Sequence, residues 1–429
     1  MAEDKFAADT TSVSPFNRTV QHDAKRLAIL SQAARLFNSK GSRATTLKDI
    51  AENLGLTKTS LYYYVKTKEE LIYQCYMAAL AVHHSNLDAI EQRFRSPKER
   101  LGAYFHTFFE NWLAAFEGRG SHIAALLEIA SLKGSHREAV EAQYIALFKR
   151  LRQHLREGIE DGSFRAVETT AATRAMLGSV DWAFSWLHKI PSDQVRDTAR
   201  KAVDILARGL HGGSDEFHSV PADVVESTAL PMQGFDRDQQ NRLKQEAFYR
   251  TGTWLFNKQG FDGTSLDEIA EQLQVSKGAF YYHIRNKEDL LFNCYSRSLD
   301  IMENIHRQAS NSDANGLQKI EQTFRRIFYF QNSNEGPLIR YNSITALPME
   351  RRKAILERTD VNNARFGDFL REGMEDGSVR EIDAFIAQNL IAGAINASME
   401  LALWRRIDNL DDAAGDYFDI FLNGLVTRG

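Results

Sequence analysis

At 429 residues the chain is long for a single domain, and its length predicts two to three globular units. Its composition, 43% hydrophobic and 26% charged, is that of a water-soluble protein, with no apolar run long enough to span a bilayer and no signal-peptide pattern near the start. A cytoplasmic protein with no membrane partner is expected, and a formal net charge of −4 excludes a surface coated in basic charge, so nucleic-acid binding would have to sit on local patches.

In chain order, residues 1–22 are polar and patternless and are expected to form a mobile tail. Within residues 23–70, Ile29, Leu30, Ala33, Leu36 and Phe37 follow helical spacing, and Gly41 stands where a helix C-terminal glycine belongs. Thr46, with Asp49 three residues on, opens a short second helix through Ile50, Ala51 and Leu54. After the tight turn "GLT", Thr57 caps a third short helix carrying "LYYY", and Thr67 with Glu70 starts a long fourth. Two short helices joined by a tight turn and braced by a preceding helix make a helix-turn-helix. On the third helix Leu61 and Val65 face inward, whereas Thr59, Tyr62 and Tyr63 lie partly on other faces, beside Lys58, Lys66 and Lys68. Such a surface suits DNA: phenol hydroxyls and ammonium groups reach phosphates, while rings and small side chains meet base edges and thymine methyls. The competing reading is a set of tyrosines packing one small core.

Residues 71–210 read as a helical domain containing "LREGIEDGSFR" at Leu155, and residues 211–240 mix Gly, Pro, Ser and acid with little periodicity, which reads as a mobile linker. The chain then repeats itself. Lys244 to Tyr295 aligns with Lys25 to Tyr76 without a gap at an offset of 219, so "FYYHIRNKEDL" answers "LYYYVKTKEEL" and "SLDEIAEQLQVSK" answers "TLKDIAENLGLTK". In this copy Ser265 and Glu268 form a full capping-box pair, Ser276 caps the third helix, and Asn286 with Asp289 starts the fourth. "LREGMEDGSVR" at Leu370 returns at an offset of 215. Residues 241–289 and 290–429 are therefore a second head and a second helical domain, a duplication of a unit of domain-pair size. Cys75 and Cys294 occupy equivalent places and are expected to be small core hydrophobes rather than a disulfide, redox or metal pair.

At these residues the sequence resembles the TetR family of bacterial transcriptional regulators, twice over. The family pattern, helix one ending in Phe and Gly, a Thr-led helix two with Ile-Ala, then Ser-Lys-Gly-x-x-Tyr-x-His-Phe and Lys-Glu-x-Leu, is nearly met by "SKGAFYYHIRNKEDL" and recognisable in "TKTSLYYYVKTKEEL". The resemblance implies an all-α fold: a duplicated unit of three-helix head plus helical effector and dimerisation domain, forming a pseudo-dimer in one chain. Carried over by position, it implies that Thr46 and Ser265 cap helix two against a phosphate. It further implies that Thr59, Ser60, Tyr62, Tyr63 and Tyr64 face DNA in one head, with Gly278, Ala279, Tyr281, Tyr282 and His283 in the other. Lys58 and Lys277 flank these surfaces, and Lys68 and Lys287 would hold phosphates at the start of helix four. Three departures stand out. Val65 and Ile284 replace a Phe, Gly252 replaces an Ala at a helix-propensity cost of about 1 kcal/mol, and Gln274 replaces the turn glycine.

Helices near Ala171 to Leu187 and Ala384 to Trp404, with terminal helices ending near Leu210 and Val426, are expected to pair as a four-helix interface within the chain. The heads are unequal. From Lys25 to Tyr76 nine basic residues face four acidic ones, a balance of +5, whereas from Lys244 to Tyr295 six face seven, a balance of −1. Since phosphate neutralisation supplies most non-specific affinity, the first head is expected to dominate salt-dependent binding, and the unlike surfaces predict an asymmetric or imperfectly palindromic operator. Candidate effector-pocket residues are Trp112, Glu128, Asp181, Trp182 and Trp186 in the first half and Tyr341, Asn342, Asn396, Glu400 and Trp404 in the second, for a small hydrophobic or acyl-type effector. Two alternatives stay open: a second head that is structural only, and a chain that dimerises again to show four heads. No Walker loop, dinucleotide fingerprint, zincin motif or nucleophile elbow is found, so neither an enzyme nor a cofactor is expected. No metal site is expected either, since adjacent His83 and His84 point about 100° apart on a helix.

Overall fold

The computed structural model describes residues 18–219, 237–333, 335–399 and 401–427, without the side chains of 18–21, 237–239, Glu128 and Asn342. Most of the expected N-terminal tail, the centre of the expected linker and Glu400 lie outside the described residues.

Helix one of the first head, α1 (Arg18–Lys40), is followed by α2 (Leu47–Asn53), α3 (Lys58–Tyr62) and the long α4 (Lys68–Arg93). Then come α5 (Pro97–Phe116), a 3-10 turn at Leu126–Ser131, α6 (Gly134–Glu160), α7 (Thr169–Ala183) and α8 (Val195–Arg208). The second copy repeats the series as α9 (Arg237–Gly263), α10 (Leu266–Gln272), α11 (Lys277–His283), α12 (Lys287–Ser310), α13 (Gly316–Asn332), a 3-10 turn at Tyr341–Ala346, α14 (Met349–Asp376) and α15 (Ala384–Ser398), and ends with α16 (Leu401–Trp404) and α17 (Leu410–Leu422). Among the described residues there is no strand, only one isolated bridge between His211 and Val379. Helix one starts earlier in both copies than apolar periodicity suggests, because its first turns are polar and carry no core stripe. α9 breaks at Gly260 (φ 70°), the counterpart of Gly41 (φ 83°).

The caps fall where expected at Thr57, Thr67, Ser276 and Asn286, each side chain accepting from the backbone N–H three residues on. At helix two the two copies trade places. Thr46 and Asp49 form the full reciprocal box, whereas Ser265 accepts only from Asp267 N and Glu268 instead takes the Gln259 amide at 3.0 Å. The expected box at Ser265 is therefore absent, because a side chain of helix one competes for its carboxylate. Gln274 keeps the left-handed turn of Gly55, φ 54° against 64°, so the second turn has the same backbone as the first.

The two halves meet along an isologous seam. α7 and α15 cross so closely that a Cβ on Gly178 would lie 2.5 Å from Ala397 Cβ, and one on Gly393 2.6 Å from the Gly178 carbonyl. α8 and α17 complete the four-helix interface. Around it the contacts are reciprocal at the offset of 215. Arg165 donates to the Gly424 carbonyl at 2.7 Å and pairs with Asp419, while Arg380 donates to the Gly209 carbonyl at 2.6 Å and pairs with Asp204. The backbone repeats this, Arg165 N to Leu425 O at 2.8 Å and Arg380 N to Leu210 O at 2.9 Å. Residue i touching j′ while i′ touches j is the signature of a two-fold dimer interface, here built within one chain. The first described residues of the expected linker are docked rather than free: Gly212 N bonds Ser378 O, and Phe217 exchanges two hydrogen bonds with the Asn423 side chain.

Candidate nucleic-acid interface and effector cavity

In each head one apolar side chain anchors the third helix and leaves its neighbours outside. Leu61 and Val65, and Phe280 and Ile284, are buried against helices one and four, and the Val and Ile substitutions for Phe sit in that core without a gap in the pattern. The anchoring turns Tyr63 outward to 74% exposure and Tyr282 to 85%, with Tyr62 and Tyr281 at 37% and 46%. Thr46, Lys58, Thr59 and Ser60 are exposed on the same head, as are Ser265, Lys277, Gly278 and Ala279 on the other. Exposed phenol rings of this size cost solvation unless a partner covers them, and both heads carry two.

Four expected DNA-facing residues are placed differently from the rest. Tyr64 is half-buried and lies 4.9 Å from the His22 ring, and His283 is half-buried against Phe248. Lys68 donates to the Arg43 carbonyl and Lys287 to the Thr264 carbonyl at 2.8 Å, the latter also lying over the Phe261 ring. Burial holds the Lys287 ammonium below its usual pKa. These lysines brace the loop before helix two, and a phosphate there would share them with that loop.

The charge difference between the heads has a structural location. Lys48 on α2 is exposed, and its counterpart on α10 is Asp267. Asp267 pairs with Lys277 at 2.6 Å and accepts from the Tyr281 hydroxyl at 3.4 Å, so two would-be phosphate donors of the second head face a carboxylate of their own chain. The pair raises the Lys277 pKa through that hydrogen bond. An exposed ion pair of this kind is worth under about 1 kcal/mol. The heads also touch: Arg43 pairs with Asp262 at 2.8 Å and lies over the Phe261 ring, Arg43 and Asp262 being equivalent positions.

Three of the expected pocket residues, Trp182, Tyr341 and Asn396, line one cavity with Tyr295, Ser298 and Thr359. Tyr341 and Thr359 share a hydroxyl-to-hydroxyl bond, and Tyr341 N donates to Asn396 at 3.4 Å. The other expected residues are elsewhere. Trp112 stacks on Phe116, Trp186 is core beside Phe109 and Phe385, Trp404 packs on Phe148 with ring centroids 4.1 Å apart, and Asp181 accepts from Tyr144. Glu128 and Asn342 carry no described side chain, and Glu400 lies outside the described residues. Missed by the sequence reading was the link from cavity to head. Asn257 of α9 donates to Leu338 O and accepts from Arg340 N, both at 2.9 Å, and Leu338, Ile339 and Tyr341 are cavity wall. Asn38 makes the same clamp on Ile123 and Ala125. A repeated Asn in "LFN" was the available signal. The thiols of Cys75 and Cys294 are buried, donate to backbone carbonyls and are pushed up to about 12 by burial, which leaves them inert packing groups.

Two helix-turn-helix heads on a two-fold helical seam define a DNA-binding regulator of transcription. Residues 29–75 and 250–294 match the model for bacterial regulatory proteins of the tetR family, and residues 95–210 and 314–425 match the tetracyclin repressor-like C-terminal domain. The chain belongs to the TetR family, with both family domains present twice, and that family is one of transcriptional regulators rather than enzymes. The Tn10 TetC protein of Escherichia coli is 24% identical over 183 residues, covering 40% of this chain and 86% of that protein. The transcriptional repressor KstR2 of Mycolicibacterium smegmatis is 30% identical over 147 residues, covering 34% and 70%. Among solved structures, the TetR family regulator PfmR of Thermus thermophilus is 30% identical with a TM-score of 0.34, covering 41% of this chain and 95% of that one. No described helix is long and apolar enough to cross a membrane.

Proposed function

We propose that this chain is a ligand-responsive repressor that reads an asymmetric or imperfectly palindromic operator with two unlike heads. What supports this reading above all is the pair of exposed tyrosine-bearing third helices carried on one isologous seam, so that a single chain offers what a homodimer offers. The division into two heads at 23–70 and 241–289, two effector-like domains at 71–210 and 290–429 and a linker at 211–240 belongs to the same reading. The first head, with Lys48 exposed, supplies most of the salt-dependent affinity, and the second, with Asp267 on its DNA-facing side, binds its half-site more weakly. A small hydrophobic effector in the Trp182–Tyr341 cavity shifts the heads through the Asn257 clamp, a change driven by unequal affinity for two arrangements.

The test is a gel shift and footprint on the DNA upstream of the protein's own coding sequence, with Tyr62→Ala and Tyr281→Ala beside the parent and mass determined by light scattering. Each substitution is expected to abolish protection of a different half-site at a mass of one chain. No effect of Tyr281→Ala would make the second head structural only. A mass of two chains would make the assembly four-headed.

A further inference from the structure

Resting on the reading of a ligand-responsive regulator, we infer that sensing is one-sided: one effector site per chain, built on the second half and walled by Trp182 of the first, takes one molecule, and that molecule is small and uncharged. The cavity differs from the corresponding place in the first half. Thr359, Asn363 and Ala392 line the cavity, and their counterparts at the offset of 215 are Tyr144, Phe148 and Leu177. All three replacements are larger and all three are buried. Three changes run the other way, Ile339 against Ala124, Tyr341 against Leu126 and Trp182 against Ala397, while Trp404 reaches across the seam to pack on Phe148 at 4.1 Å.

The chemistry of the two places differs as much as their volume. In the first half Arg174 donates to the Tyr144 hydroxyl at 2.7 Å, and that hydroxyl donates to Asp181 at 3.2 Å, a charged network at the corresponding place. The counterparts of Arg174 and Asp181 are Asn389 and Asn396, so the second half has exchanged both charges for neutral amides. Among the described residues, no Asp, Glu, Lys, Arg or His lines the cavity. Its polar groups are hydroxyls and amides set in an aromatic and aliphatic wall. The indole N–H of Trp182, buried at this wall, meets no acceptor among the described residues. A carboxylate or phosphate entering here would lose its hydration with no cation to replace it, a penalty of several kcal/mol, whereas a neutral molecule with one acceptor would satisfy the indole. The centre of a water molecule has about 40 Å³ in which to move inside the cavity. That is room for a few waters, or for one ring-sized molecule as side chains adjust.

The cavity is also placed to act on one head first. Its wall segment is held at Ile339 N by Ser298 Oγ and at Arg340 O by the Tyr295 hydroxyl, and the Asn257 clamp joins the same segment to helix one of the second head. A ligand that widens the cavity displaces that segment, and the weaker head moves with it while the first head stays on its half-site.

Benzamide and benzoate, equal in shape and unlike in charge, test this on the full chain by titration calorimetry and native mass spectrometry, with phenol as a further neutral probe. We expect neutral probes to bind once per chain and benzoate at least tenfold more weakly than benzamide. Thr359→Tyr with Asn363→Phe, which installs the first half's side chains, is expected to abolish binding, and Ala392→Leu to weaken it at least fivefold, with the DNA shift retained in both. Trp182→Phe removes the donor and is expected to weaken benzamide about fivefold. Two molecules per chain, benzoate binding as tightly as benzamide, plugged variants that bind like the parent, or no neutral probe bound by a chain that still shifts DNA would each overturn the inference. Failure of the parent chain to bind DNA at all would instead sink the regulatory reading on which it rests.

Discussion

Gln274 shows how a single residue is held against its own preference. Its φ of 54° costs a side-chain-bearing residue about 1 kcal/mol or more, a cost that Gly55 avoids in the first head. Gln274→Gly should therefore raise the unfolding free energy of the second head by up to about 1 kcal/mol, read in a urea titration; a loss of stability would show that Gln274 makes contacts that outweigh the strain. His83 behaves in the opposite sense with pH. Burial, with some help from neighbouring His84, pushes its pKa down to about 4, and His306 is likewise held at about 4 by burial. Because both bind a proton more readily unfolded, at an ordinary value near 6.5, their stabilising neutral forms are intact above that pH. Stability is lost as pH falls from about 6.5 towards 4, by roughly 3 kcal/mol at most for each. His83→Met, the residue its counterpart Met302 carries, should remove part of that slope in a series of melts between these pH values.

At the scale of elements, the DNA-facing helices differ by one charge reversal whose consequence is measurable. Asp267→Lys gives α10 the residue that α2 has and releases Lys277 and Tyr281. We expect the salt dependence of binding, log K against log salt, to steepen by roughly one to two charges and affinity for the second half-site to rise. An unchanged slope would mean that this face does not meet phosphates. The clamp between α9 and the cavity wall carries a second prediction. Asn257→Ala removes two hydrogen bonds to the 338–340 segment while leaving the DNA-facing side untouched. DNA should still bind, at a stability cost of about 1 to 3 kcal/mol, but a cavity ligand should no longer alter the affinity. A ligand response of parental size would place the coupling elsewhere.

For the molecule as a whole, the covalent link changes the thermodynamics. A homodimeric regulator melts at a temperature that rises with concentration, because folding and association are coupled. Here both faces of the seam sit in one chain, and the melting temperature should not move over a hundredfold range of concentration. A rise of several degrees would reveal a further dimer and favour the four-headed assembly. Within the seam, Arg165 is nearly buried and bonded to Asp419 and Gly424 of the other half. Arg165→Ala leaves those acceptors unmatched and should cost about 3 kcal/mol. The exposed Arg43–Asp262 contact between the heads should cost under about 1 kcal/mol when removed.

Much of this protein was legible from local chemistry. Capping residues and the 3.6-residue period act over a few residues, so the helices of both heads, the inward-facing Leu61 and Val65 and the outward Tyr62 and Tyr63 follow from the sequence itself. The duplication did too, since it needs only self-comparison. Tertiary structure decided whatever depends on which side chain arrives first at a shared space. Gln259 takes Glu268 from its cap, Lys68 and Lys287 turn to carbonyls, Asp267 meets Lys277, and the linker's first residues dock on Asn423. The cavity is the clearest case. Ten residues in both halves were equally plausible linings, and only packing across the seam, where Trp404 meets Phe148 on one side and Trp182 walls the cavity on the other, singles out the three that line it. Volume and charge compensation between distant residues leave no periodic trace along a chain, which is why the sequence determined the heads and the fold determined the cavity.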